Sequence, residues 1–133
     1  MNRFRFGLTV TACASALFLA SVSALAGTKT GFPVLVDTSA MAAYGSIGST
    51  RNTSDTLSYL ACEITSENTV GTSFGFCVAR NSAGVVRTCS TVNPELVAAI
   101  RSLNGDSFLE MHWNSNGDCT VIRVGNGSDM QPK

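Results

Sequence analysis

Between Tyr44 and Gly125 short runs rich in Val, Ile, Thr, Phe and Tyr alternate with breaks of Gly, Asn, Ser and Asp. That is the spacing of strands joined by tight turns. The runs predict strands over Tyr44–Arg51, Leu57–Thr65, Ser73–Arg80, Val85–Thr91, Phe108–Asn114 and Cys119–Gly125. Period-two alternation puts Leu60, Cys62 and Ile64 on one face and Tyr59, Ala61 and Glu63 on the other. Phe74, Phe76 and Val78 alternate with Gly75, Cys77 and Ala79 in the same way. Asn81–Gly84 and Asn114–Asp118 carry the strongest turn chemistry, because Asn and Gly tolerate positive φ.

One segment changes period. Leu96, Val97, Ile100 and Leu103 recur at helical spacing and predict an amphipathic helix over residues 93–104. Asn93 is a good N-cap, Pro94 suits the first helical position, and Glu95 complements the positive end of the helix dipole. Gly105 after Asn104 supplies a left-handed stop. Further upstream, residues 32–36 read as a short edge strand, since Pro33 cannot donate to a ladder. Asp37, Thr38 and Ser39 read as the cap of a short helical turn through Ala43. The pattern therefore predicts a β-rich α+β fold: an antiparallel sheet or small sandwich of about six strands, with one helix.

Residues 1–26 have a different character. Arg3 and Arg5 precede an apolar run from Gly7 to Ala20, and Ala24-Leu25-Ala26 places small residues where a signal peptidase cuts. The run is shorter than the roughly 20 apolar residues a membrane span needs. Val10-Thr11-Ala12-Cys13 has the form of a lipidation box, but cleavage there would leave the apolar stretch from Ala14 to Ala26 on the mature chain, so Cys13 is read as part of the leader. The expected organisation is a removable signal peptide over residues 1–26, an N-terminal segment over 27–43, and one disulfide-stapled domain over 44–133. Removing 26 of 133 residues leaves 107, with seven basic against nine acidic side chains and a net charge of −2. No basic cluster exists to neutralise phosphates, and no basic amphipathic helix suggests a membrane surface. Neither a nucleic acid nor, after leader removal, a membrane is the expected partner.

Cysteine spacing sharpens this picture. Cys62, Cys77, Cys89 and Cys119 remain in the mature chain at intervals of 15, 12 and 30 residues. An even count in a small exported chain reads as two disulfides. Zinc sites use close pairs such as C-x2-C, often with histidines, and thiol redox centres use C-x-x-C. Neither spacing occurs, and His112 is the sole histidine. Bonding Cys62 to Cys77 and Cys89 to Cys119 is favoured because it ties the last strand back across a long interval. A direct Cys77–Cys89 bond across the Asn81–Gly84 turn stays open as the alternative.

The candidate chemistry is sparse. On the strand Phe108–Asn114, His112 shares a face with Glu110 and Phe108, the arrangement of a general base with an orienting carboxylate. No G-x-S-x-G nucleophile turn, EF-hand loop or phosphate-binding glycine loop accompanies it. A carboxylate pair for glycoside hydrolysis has few candidates, because Asp106 and Asp118 occupy turns. Trp113, Tyr59 and Tyr44 form a candidate aromatic patch for a sugar or a peptide. The sequons at Asn52 and Asn126 carry little weight beside a leader of bacterial type.

The stretches "FCVARNSAGVVRTCS", "LVAAIRSLNGDSFLEMHW" and "GDCTVIRV", with Cys62, resemble a set of small secreted bacterial proteins to which no activity is attached. The resemblance covers Tyr44 to Lys133 and implies export and a disulfide-stapled β-rich fold, with no substrate or site residues. The expectation is a secreted or periplasmic, non-enzymatic module. It needs no cofactor or metal and binds an extracellular or periplasmic glycan or protein through Trp113, Tyr59 and His112. The alternatives are a self-associating structural protein and a small hydrolase using His112.

Overall fold

The computed structural model describes residues 29–68 and 71–130. The expected leader, its cleavage point and Val10–Cys13 lie outside the described residues. Nine elements follow one another: β1 (Leu35–Asp37), β2 (Ala42–Ser46), α1 (Ile47–Asn52), β3 (Tyr59–Ser66), β4 (Ser73–Arg80), β5 (Val86–Thr91), α2 (Pro94–Arg101), β6 (Phe108–Trp113) and β7 (Cys119–Gly125). They form two antiparallel sheets, one in the order β1-β2-β6-β7 and one in the order β3-β4-β5. The chain starts the first sheet, builds the second as a meander, crosses through α2 and returns to complete the first. This is a β-rich α+β fold as the pattern predicts; of the two architectures expected, one sheet or a small sandwich, it has two sheets, with seven strands rather than about six and two helices rather than one.

One core lies between the sheets. The four-stranded sheet contributes Ala43, Leu109, Met111 and Ile122, and the three-stranded sheet contributes Leu60, Cys77, Ala79 and Cys89. Ile100 reaches the core from α2. The inward residues of β4 are small because α2 docks on them: a Cβ on Gly75 would stand 2.6 Å from Ile100 Cδ1. Phe74, Phe76 and Val78 consequently take the outer face of β4, where Phe74 is exposed. The disulfides are Cys62–Cys77, across β3 and β4, and Cys89–Cys119, between the two sheets. This is the sequential pairing, although Cys77 is also the direct register partner of Cys89.

The helix start follows the expected chemistry. Asn93 Oδ1 accepts from the N–H groups of Glu95 (2.9 Å) and Leu96 (3.4 Å), with Pro94 in the first turn. The end does not. The helix closes at Arg101 instead of residue 104, and Gly105 takes no positive φ. Ser102 and Leu103 donate to the carbonyls of Ala99 and Ile100 at 3.1 Å each, a tight final turn that leaves a left-handed stop without work to do.

Two further expectations change. The strand expected over Tyr44–Arg51 stops at Ser46, and residues 47–52 form α1. That helix has no apolar periodicity and no side-chain cap. It is anchored by Ile47 N–H on Ser107 O (2.9 Å) and by Thr50 Oγ1 on Ser46 O (2.8 Å), so tertiary context overrides propensity. The helical turn expected from Asp37 to Ala43 is the turn of the β1–β2 hairpin. Asp37 Oδ1 accepts from Ser39 N–H and Ala40 N–H at 2.9 Å each and from Ser39 Oγ at 2.6 Å. The Ser39 hydroxyl, then the backbone donors, hold the Asp37 carboxyl below its ordinary value. Residues 35–43, read as part of a separate N-terminal segment, thus supply β1 and the start of β2. The turns at Asn81 and Asn114 form as expected. Each asparagine Oδ1 accepts from two backbone N–H groups, and Gly84 (φ 80°) and Gly117 (φ 83°) are left-handed.

Candidate functional site

The antiparallel registers place Leu35, Tyr44, Glu110 and Arg123 in one row across the four-stranded sheet, on the face turned away from the core. The next row holds Ala42, His112 and Val121, and the row on the other side holds Ser46, Phe108 and Gly125. Gly125 presents no side chain beside Phe108, so the sheet surface opens there into a groove of about 350 Å³. The groove is walled by Phe32, Tyr44, Phe108, Arg123 and Met130. Phe32 arrives from outside the sheet, pinned by paired contacts with Ser46: Phe32 N–H on Ser46 Oγ at 3.1 Å and Ser46 N–H on Phe32 O at 2.9 Å. Its ring meets Phe108 edge-on at 5.4 Å, and Tyr44 stands 6.2 Å from Phe108 at a tilt of 39°. Thr30 pairs with Met130, which closes the end of the groove.

Beside the aromatics lies a polar group of three. His112 Nε2 is 2.8 Å from Glu110 Oε1, and Arg123 Nη1 is 3.6 Å from Glu110 Oε2. The carboxylate therefore accepts from the imidazole on one side and faces the guanidinium on the other. Arg123 is largely exposed, so its ion pair contributes at most about 1 kcal/mol to stability. The pair ties Glu110 to Arg123, which lines the groove. The cross-strand neighbours of His112 on its own face are Ala42 and Val121, neither of them a nucleophile. Among the described residues, no three of His, Cys, Asp and Glu converge as metal ligands.

The structure brings together some of the sequence candidates and separates others. Glu110, His112 and Phe108 share a face, as strand periodicity requires, and Tyr44 joins them through the β2–β6 register. Tyr59 is on the other sheet, exposed on its outer face opposite Arg80. Trp113 lies past a bulge between His112 and itself, packs against the core, and opens into a separate groove beside β5. The expected patch of Tyr44, Tyr59 and Trp113 is therefore three separate places. Phe32, Arg123 and Met130 are the members that sequence reasoning missed. Their signal was pairing across strands distant in the chain, which no local pattern carries.

Among the described residues, no helix is long and apolar enough to cross a membrane. Compared with known proteins, the chain matches no family model, no curated protein and no solved structure.

Proposed function

We propose that this chain is an exported, non-enzymatic binding module that recognises a glycan on the outer face of its four-stranded sheet. The observation that carries the reading is the open groove walled by Phe32, Tyr44, Phe108 and Arg123, with Glu110 paired to Arg123, and His112 to Glu110, on the same sheet face. Aromatic walls with a few convergent polar groups are the composition of small-molecule sites. A volume near the lower end of their usual range of roughly 300–1,000 Å³ suits a sugar unit. Apolar C–H faces of a sugar pack on the rings, and its hydroxyls donate to the Glu110 carboxylate and accept from Arg123. Export is supported by the leader-like residues 1–26 and by the two disulfides, which persist in oxidising compartments.

The test is retention on immobilised cell-envelope and extracellular polysaccharides, with titration of the retained glycan. Tyr44→Ala and Arg123→Ala should each weaken binding at least about tenfold, near 1.4 kcal/mol, while leaving the unfolding midpoint nearly unchanged. A wild-type protein that retains no glycan removes this reading. The hydrolase reading draws on the Glu110–His112 contact. It requires an activity on glycoside or ester substrates that disappears in both Glu110→Gln and His112→Ala.

A further inference from the structure

A second surface lies away from the glycan face. The order β3-β4-β5 leaves β5 as a sheet edge. Asn81 N–H donates to Val85 O at 3.2 Å, which makes Arg80 and Val86 a non-hydrogen-bonded pair of the β4–β5 ladder. The main-chain groups of Val86, Thr88 and Ser90 therefore point away from β4. Ser90 confirms this, because its N–H donates outward to Gly117 O at 3.0 Å. That contact fills the lane beside β5 at Ser90 only. At Val86 and Thr88, both exposed, the lane is a groove of about 390 Å³.

The far wall of this groove is built from irregular backbone. Trp113 stands opposite Cys119 at the register shift after His112 and enters the groove with Met41 and Thr38 from the β1–β2 turn. Met41 is the sole non-glycine with positive φ among the described residues (φ 51°), and its carbonyl accepts from Trp113 N–H at 3.1 Å. Bulges and left-handed non-glycine residues concentrate where a fold re-aims side chains for function. Arg87 is exposed on β5 and supplies the positive charge of the groove.

We propose that this edge takes an extended peptide as an added strand beside β5. The peptide's main chain pairs with Val86 and Thr88, one apolar side chain packs on Trp113 and Met41, and a neighbouring carboxylate meets Arg87. Strand addition meets the outward main-chain groups of Val86 and Thr88; the Val86 carbonyl accepts from Arg87 Nη1 at 2.7 Å, a contact that the peptide's carboxylate would draw away, and Ser90 already pairs along this edge with the chain's own Gly117. The open edge is three residues long and recessed between the turns at Thr38–Met41 and Asn114–Gly117. Three open positions suit a short extended segment, fewer than the six residues of β5 that a second copy would bring to the same edge.

The experiment pans a phage-displayed library of linear decapeptides on the disulfide-intact protein. Selected synthetic peptides are then titrated against the emission of Trp113, the single tryptophan of the chain. The expected peptides carry an apolar residue next to Asp or Glu and saturate a change in that emission. Thr88→Pro removes an N–H that faces away from β4, a position where an edge strand tolerates proline, and should weaken binding at least tenfold. N-methylation of the peptide at its pairing amide should do the same without altering the protein, which decides the matter if Thr88→Pro fails to fold. Arg87→Glu should lose the acidic preference, and Tyr44→Ala should leave peptide affinity unchanged. The proposal is overturned if no peptide is selected, or if N-methylated peptides or the folded Thr88→Pro protein bind as well as their parents. A wild-type dimer in sedimentation that becomes monomeric in Thr88→Pro overturns the peptide as occupant and assigns the edge to a second copy.

Discussion

Substitution of Gly75 by alanine tests how α2 is seated. The added Cβ would stand 2.6 Å from Ile100 Cδ1, 3.3 Å from Thr91 Cγ2 and 3.7 Å from Val97 Cγ2, all beneath the helix. Overpacking a core costs roughly 1–3 kcal/mol. Alanine in place of a strand glycine returns about 0.5–1 kcal/mol through lower backbone entropy of the unfolded chain. The net expectation is a loss of up to about 2.5 kcal/mol for Gly75→Ala. Ile100→Val deletes the methyl that clashes and alone costs about 0.5–1.5 kcal/mol. In the double variant the new methyl fills the space the old one left, so the double should be no less stable than Ile100→Val alone. Urea unfolding followed by Trp113 emission, with calorimetry as a second probe, gives the four stabilities. For a domain of this size 1 kcal/mol corresponds to about 4–8 °C in Tm. The reasoning is refuted if the two losses add to within about 0.5 kcal/mol, the behaviour of sites that do not touch.

Other outcomes follow from the same structure. Replacing Cys89 and Cys119 together by alanine should cost about 3.6 kcal/mol, against about 3 kcal/mol for Cys62 and Cys77, since the closed loop is 30 residues rather than 15; equal or reversed losses in denaturant titrations would contradict this ranking. Asn93→Ala should lower stability by about 1 kcal/mol through loss of the cap on α2, read as a shift in urea midpoint. The carboxyls of Asp37 and Asp55 are held below the ordinary value of 3.8, first by the hydroxyls of Ser39 and Ser58 respectively and next by backbone N–H groups. Because the folded value is the lower one, their stabilising effect is fully present above pH 3.8 and is lost as pH falls through the depressed folded values. Acid titrations of Asp37→Ala and Asp55→Ala should therefore show a shallower stability decline in that window than the wild type, and parallel curves would contradict it.

Local chemistry made much of this fold legible. Asn93-Pro94-Glu95 marked the start of α2, and the turns at Asn81 and Asn114 followed from side chains that accept backbone protons. Strand periodicity put Glu110 and His112 on one face, where they meet at 2.8 Å. The failures share a cause, which is that the deciding contact lies far away in the chain. Ile47–Asn52 becomes helical through Ser107; the exception is the end of α2, where a local tightening of the last turn leaves no need for a left-handed glycine. The outward placement of Phe74 and Phe76 depends on α2 occupying the space above Gly75. The pairing of Trp113 with Cys119 depends on a register shift after His112, and no propensity encodes such a shift.

The register that aligns Cys62, Cys77 and Cys89 across three adjacent strands has a consequence for the order of assembly. While the meander stands alone, Cys77 has a facing thiol on either side, but the two differ: Cys77 and Cys89 form a hydrogen-bonded pair of the ladder, whereas Cys77 and Cys62 form a non-hydrogen-bonded pair, whose side chains stand closer. Cys62–Cys77 can close within the meander, whereas Cys89 has to wait for β7 to bring Cys119. Oxidation before the sheets meet should therefore give Cys62–Cys77 with free thiols at Cys89 and Cys119, a species that thiol alkylation early in refolding would capture, and a trapped Cys77–Cys89 bond would contradict this order. The native bonds are in this sense a record that the two sheets had already closed on each other when the last of them formed.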